Sequence, residues 1–219
     1  MKRILFIGNS FTYFNHMPDM VQAMADAAGF PAEIRTLAYG GFKLMFYTDP
    51  EHTHGTEALP LIASEPWDAV VLQEQSITPA IARDLFHKGT EGLIPAIRAA
   101  GAEPVFYATW PYRDHSPKLD ATGLDYPEML RLLTEGYRGE AEYWKADAVW
   151  VGEPFVRFQE LNPTFSLYMP DHFHPNAGGS YLAACLFFRH FFEADPPASW
   201  CPDDLSPSFA EKIREFLRS

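Results

Sequence analysis

Three residues far apart in the chain have the types that nucleophilic acyl transfer needs. Ser10 closes the stretch Ile4-Leu5-Phe6-Ile7-Gly8-Asn9-Ser10, and Asp171 and His174 stand three apart in Pro170-Asp171-His172-Phe173-His174-Pro175. A serine hydroxyl attacks poorly until a neighbouring base takes its proton. An imidazole serves as that base when a carboxylate holds its tautomer and balances the charge that forms. Each piece also has a plainer reading. Gly, Asn and Ser are ordinary turn residues, and an aspartate three residues before a histidine at a helix start is more often a cap than a catalytic pair. What separates the two readings is whether the fold brings the pieces to one place.

The elements that must do so can be read from hydrophobic patterning. Short continuous apolar runs occur at Ile4 to Ile7, Asp68 to Gln73, Glu103 to Trp110 and Ala148 to Gly152, with a mixed run at Glu33 to Tyr39. Runs of this kind fit strands buried on both faces. Helical patterns fill the intervals. One runs from Met17-Pro18 to Gly29, and others cover 56–66, 80–101 and 126–146, with Gly and Pro inside the third. After Pro175, the residues Tyr181, Ala184, Cys185, Phe188 and Phe192 recur at helical spacing, and Phe209 to Leu217 is amphipathic. Pro175 pushes His174 out of helical geometry and itself suits a first helical position. Alternating strands and helices predict an α/β class, a three-layer α/β/α sandwich on a parallel sheet of about five strands. The 219 residues read as a single domain.

Ligands of such sheets bind outside the carboxyl ends of the strands. After the second strand come Gly40 and Gly41, after the third Gln73, Glu74, Gln75 and Ser76, and after the fourth Trp110, Pro111 and Tyr112. A serine, amides freed by glycines, side-chain amides, an acid and an imidazole are together the parts of an acyl-transfer site. The aromatics Phe42, Trp110 and Tyr112 are candidates to contact substrate by ring stacking.

The bulk composition removes several alternatives. The net charge of −12, from 17 basic and 29 acidic residues, argues against nucleic acid or an anionic membrane as partner. No run approaches the roughly 18 apolar residues of a membrane span, and the short apolar start lacks the form of a signal peptide. Cys185 and Cys201 are the only cysteines, and Cys185 sits in an apolar helical pattern as a buried free thiol. These features point to the cytoplasm. Oligomeric state cannot be read from the sequence.

The stretches "GNSFT" and "DHFHPN", with a glycine after the second strand between them, resemble the SGNH/GDSL hydrolase superfamily, whose motif blocks open with Gly-Asp-Ser and close with Asp-x-x-His. "ILFIGNSFT", "VVLQEQS" and "ATWPY" are similar to the branch carrying Gly-Asn-Ser in the first block. The resemblance spans about Ile4 to Leu182. It implies a flavodoxin-like fold and an esterase or carbohydrate deacetylase that hydrolyses small acyl esters, acetyl first among them, through an acyl-enzyme and without a cofactor. It maps the nucleophile onto Ser10, the base onto His174 and the orienting acid onto Asp171. The oxyanion would lie between the amides of Ser10 and Gly41, or alternatively Gly40. The third block departs from the family, because no Asn follows the third strand. Gln73 is the expected substitute donor, with Gln75 as the alternative, since two residues of one extended strand share a face and Glu74 would point away.

Two rival readings remain. His52-x-His54 and His172-x-His174 have ligand-like spacing, but no cysteine cluster or helix-borne signature supports a metal. The missing Asn leaves room for a catalytically degenerate module of the same fold that binds a carbohydrate or another small ligand.

Overall fold

The computed structural model describes residues 1–219. Five parallel strands form its sheet: β1 (Lys2–Gly8), β2 (Ala32–Ala38), β3 (Ala69–Leu72), β4 (Glu103–Ala108) and β5 (Asp147–Trp150). Their order across the sheet is β2-β1-β3-β4-β5, so Ser10 follows the central region of the sheet rather than an edge. The helices are α1 (Ser10–Tyr13), α2 (Met17–Ala28), α3 (Ala58–Ser64), α4 (Thr78–Ile81), α5 (Arg83–Ala99), α6 (Pro117–Asp120), α7 (Tyr126–Trp144), α8 (Gly152–Leu161), α9 (Ala177–Phe192) and α10 (Pro207–Arg218). Short 3-10 turns cover Phe14–His16 and Leu44–Thr48.

Strand side chains alternate between two apolar layers. Ile4, Phe6, Val71, Val105, Tyr107 and Val149 pack with α2, α8, α9 and α10, whereas Leu5, Ile7, Val70, Leu72 and Phe106 pack with α3, α5 and Tyr137 of α7. This is the three-layer α/β/α arrangement expected from the continuous apolar runs. No helix is long and apolar enough to cross a membrane. Cys185 is buried, and both cysteines are free thiols.

Some boundaries differ from the patterning. The third strand stops at Leu72 and the fourth at Ala108, which leaves Gln73 and Trp110 outside the sheet. Gly152 does not end a strand but opens α8, a helix whose apolar stripe of Phe155, Val156 and Phe158 lies too close to β5 to stand out as a separate period. Helix α5 continues through Gly89, Gly92 and Pro95 instead of breaking. Its glycines admit the 44–48 turn, since a Cβ on Gly89 would lie 2.7 Å from Leu44 Cβ. Helix α9 begins at Ala177 rather than at Pro175, and Asn176 caps it, its side chain accepting from the Gly179 amide.

The closest backbone approach among the helices is at Gly136 of α7, where a Cβ would come within 2.1 Å of the Pro79 carbonyl of α4. Overpacking of this kind typically costs about 1–3 kcal/mol. Gly136→Ala should therefore lower stability in chemical denaturation by about that amount, despite the better helix propensity of alanine.

Candidate active site

The chain makes a sharp exit from β1. Asn9 caps α1 by accepting the Phe11 N–H through Oδ1 at 3.1 Å, and this presents Ser10 at the first position of a one-turn helix. Ser10 is 8% exposed. The partner segment comes from the other end of the chain. Between α8 and α9, an antiparallel bridge joins Tyr168 to Pro175, and the Met169 N–H donates to the His174 carbonyl at 2.9 Å. The turn at its tip is closed by the His172 N–H on the Met169 carbonyl, with His172 left-handed at φ 71°. Asp171 Oδ1 then accepts the amides of Phe173 (3.2 Å) and His174 (3.0 Å), so the loop backbone fixes the carboxylate.

These two segments meet. Ser10 Oγ lies 2.7 Å from His174 Nε2, and His174 Nδ1 lies 2.7 Å from Asp171 Oδ2. With Nδ1–H donating to Asp171, Nε2 is the acceptor for the serine proton. Burial opposes ionisation of Asp171, but the hydrogen bonds from the His174 ring and from the Phe173 and His174 amides outweigh it and hold the carboxyl below its ordinary range. The His174 ring is sandwiched. Phe14 stacks on it with centroids 4.1 Å apart and planes within 6°, and Phe173 tilts against it at 3.9 Å.

The N–H groups of Ser10, Gly40 and Gly41 have no acceptor within the protein. Gly40 and Gly41 form the exposed turn after β2, which the Phe42 N–H on the Tyr39 carbonyl closes and in which Gly41 takes φ 70°. The Asn9 side chain links this turn to the one that carries Ser10, with Nδ2 donating to the Phe42 carbonyl at 2.9 Å.

Five expected site residues have other duties. Gln73 is fully buried; its Oε1 accepts from the Asn9 N–H and the Thr12 hydroxyl, both at 2.9 Å, and its Nε2 donates to the Glu74 carbonyl. It is a clamp under the turn that carries Ser10, not the free donor expected of it. The clamp also explains Gly8, where a Cβ would come within 2.7 Å of Gln73 Oε1. Gln75 turns to Ser76 and Thr78. The shared-face expectation fails because the strand has ended before Gln73. The three aromatics are core rather than substrate platforms. Trp110 is fully buried and stacks between Phe11 (4.9 Å) and Phe155 (4.3 Å), with Nε1–H on the Phe173 carbonyl. Tyr112 is buried with its hydroxyl 2.8 Å from Ser76 Oγ, and Phe42 packs among Tyr39, Phe46, Tyr47 and His52.

The residues that patterning missed are Phe14, which carries no polar signal, and Asn9 and Thr12, whose roles depend on a partner 61 or more positions away. His172 makes no contact with Ser10, and its buried Nδ1 is unpartnered. The His52 and His54 rings engage Thr53 and Glu57 separately, and no group of three metal-ligating side chains converges anywhere in the chain.

No family model matches the chain, and no curated protein does. Solved structures do. A protein from Slackia heliotrinireducens, described as "a putative SGNH hydrolase", is 36% identical over 86% of this chain and 97% of its own length, with a TM-score of 0.75. The chain belongs to the SGNH/GDSL hydrolase superfamily. Its fold is also shared by a DUF4886 family protein from Bacteroides uniformis (17% identical, 98% of this chain and 92% of the other, TM-score 0.81). It is shared too by the acetyl xylan esterase AlAXEase (16%, 86% and 99%, TM-score 0.66).

Two predictions follow from the supports of this SGNH site. Asn9→Asp removes the donor to Phe42 and sets a carboxylate oxygen against a carbonyl. It should cost about 1–3 kcal/mol in denaturation, although it restores the Gly-Asp-Ser form of the motif. Glu74 lies beneath the Leu44 turn, fully buried, accepting the Leu44 N–H at 3.2 Å and the Gln75 N–H at 2.6 Å. Burial pushes its carboxyl up to about 8, against the pull of the Gln75 and Leu44 amides and of Lys43. A raised carboxyl keeps its proton in the folded state, so its contribution is fully present below the ordinary value of 4.5 and is lost as pH rises through about 8. Stability measured between those limits should fall with a slope of up to about 1.4 kcal/mol per pH unit, and Glu74→Gln should remove that slope.

Proposed function

We propose that the chain is a serine esterase that hydrolyses small acyl esters, acetyl first among them, through an acyl-enzyme on Ser10. The observation that carries this reading is the unbroken line from Ser10 Oγ through His174 to Asp171, with both contacts at 2.7 Å. In the first half-reaction His174 Nε2 takes the Ser10 proton as Oγ attacks the ester carbonyl. The imidazolium is balanced by Asp171 and then protonates the leaving alcohol. In the second, His174 activates a water that releases the acid and frees Ser10. The negative oxygen of each tetrahedral intermediate would be met by the unpaired amides of Ser10 and of Gly41 or Gly40.

None of the five best-formed cavities, of about 220–610 Å³, is lined by Ser10, Asp171 or His174, which agrees with a small acyl group rather than a long chain. The substrate is a small-molecule ester. A structural neighbour named as an acetyl xylan esterase makes acetylated carbohydrate the natural class to test after simple esters. The free thiols Cys185 and Cys201 fit a reducing compartment, and we place the activity in the cytoplasm.

The test is a series of 4-nitrophenyl esters of increasing acyl length, followed by acetylated sugars. Acetyl should be turned over at least about tenfold faster than octanoyl, the scale on which a small apolar site discriminates. Ser10→Ala and His174→Ala should each lower kcat by about 10⁴-fold or more while circular dichroism stays native. Asp171→Asn should be milder, and His172→Ala should keep most activity. Ester hydrolysis absent from the wild type, with acetylated sugar still bound, would instead mark a binding module of the same fold.

A further inference from the structure

Between α1 and α2 the chain adopts a conformation that needs a cause. Asn15 (φ 51°, ψ 26°) and His16 (φ 56°, ψ 40°) are consecutive left-handed residues, and neither is glycine. Such positions persist where surrounding contacts over-determine them. Here the contacts come from Asn15. Its Nδ2 donates to the Pro175 carbonyl at 2.9 Å and to Ser180 Oγ at 2.8 Å, and Ser180 Oγ donates in turn to the Phe14 carbonyl at 3.1 Å. Pro175 directly follows His174, and Phe14 is the residue whose ring lies flat on the His174 imidazole.

We propose that Asn15 and Ser180 form a clip that sets the alignment of Ser10 with His174, making Asn15 a positioning residue of the esterase; this rests on the function proposed above. Ring stacking holds the imidazole in a plane but resists sliding within that plane only weakly. The two amide protons of Asn15 are directional and fix the missing coordinate. They pin the backbone next to His174 to the segment that carries Ser10. Asparagine meets both demands, because it tolerates the left-handed region and its amide has two donors. Glycine would accept the backbone but lose the clip. Aspartate would turn a carboxylate toward the Pro175 carbonyl.

The experiment compares wild type, Asn15→Gly, Asn15→Asp and Ser180→Ala by 4-nitrophenyl acetate kinetics, thermal unfolding and the low-field proton resonance of His174 Nδ1–H. A misplacement near 1 Å costs up to about 100-fold, so Asn15→Gly should lower kcat by about 10- to 100-fold with KM within about threefold. Its unfolding temperature should stay near wild type, because glycine relieves the left-handed backbone. Its Nδ1–H resonance should shift or broaden. Asn15→Asp should be at least as severe, and Ser180→Ala should lose kcat in the same direction to a smaller extent. The clip is wrong if kcat and the resonance are unchanged in Asn15→Gly, or if the loss falls on KM instead. If Asn15→Gly does not fold, Ser180→Ala with unaltered kcat overturns the clip. A wild type inactive on every ester overturns the esterase reading, and the resonance in Asn15→Gly still decides the clip.

Discussion

One contact of 2.7 Å, between residues 164 positions apart, sets what the rest of the structure has to deliver. A hydroxyl and an imidazole so far apart in the chain come within proton-transfer reach only if the first strand and the loop between α8 and α9 deliver them to the same edge of the sheet. The parallel topology does the coarse part, since every strand ends at that edge and β1 sits between β2 and β3. The fine part falls to side chains with no chemistry of their own. Ordering a loop costs about 1–2 kcal/mol per residue in backbone entropy. The 166–176 segment meets that cost with the Tyr168–Pro175 bridge, the Asn176 amide on the Ser166 carbonyl at 2.6 Å, and the Arg113 N–H on the His172 carbonyl at 2.8 Å.

The aromatic content belongs to the same task. Phe11 directly follows Ser10, and it stacks on Trp110 after β4, which stacks on Phe155 of α8 and donates to the carbonyl of Phe173. Phe11 meets the His174 ring edge-on at 5.7 Å, and Phe14 and Phe173 contact the same ring. An imidazole confined in this way has few orientations available, so in the proposed mechanism a proton taken from Ser10 would be held where a leaving group can take it.

The sequence made the backbone of the fold legible because buried parallel strands write themselves as continuous apolar runs. Turn, cap and proline chemistry made Ser10, Asp171 and His174 legible as residues at element ends, and the resemblance of "GNSFT" and "DHFHPN" to the SGNH/GDSL blocks supplied their expected roles. Gln73 was misread for an equally physical reason. An amide at a strand end looks alike whether it faces substrate or core, and the difference lay in whether the strand ran one residue further. Trp110, Tyr112 and Phe42 failed similarly, since an aromatic residue after a strand lines a pocket or a core depending on what packs above it. Asn15 and Ser180 gave no signal, because their meaning lies in a contact across 165 positions.

The replacement of Gly-Asp-Ser by Gly-Asn-Ser and the loss of the third-block Asn are best understood together. Asn9 both accepts and donates, capping α1 through Oδ1 and holding the Phe42 carbonyl through Nδ2. A carboxylate could do only the first. The second bond ties the turn that carries the Ser10 amide to the turn that carries Gly40 and Gly41, and so couples the positions of their unpaired amides. Gln73 reinforces this from below by fixing the Asn9 N–H itself. In the mechanism proposed here, the task of a side-chain oxyanion donor thus passes to preorganised backbone amides, whose positions are set by the amide side chains of Asn9 and Gln73. Donors held rigidly in this way need little reorganisation as charge develops, and that is the condition under which electrostatic stabilisation contributes most to catalysis.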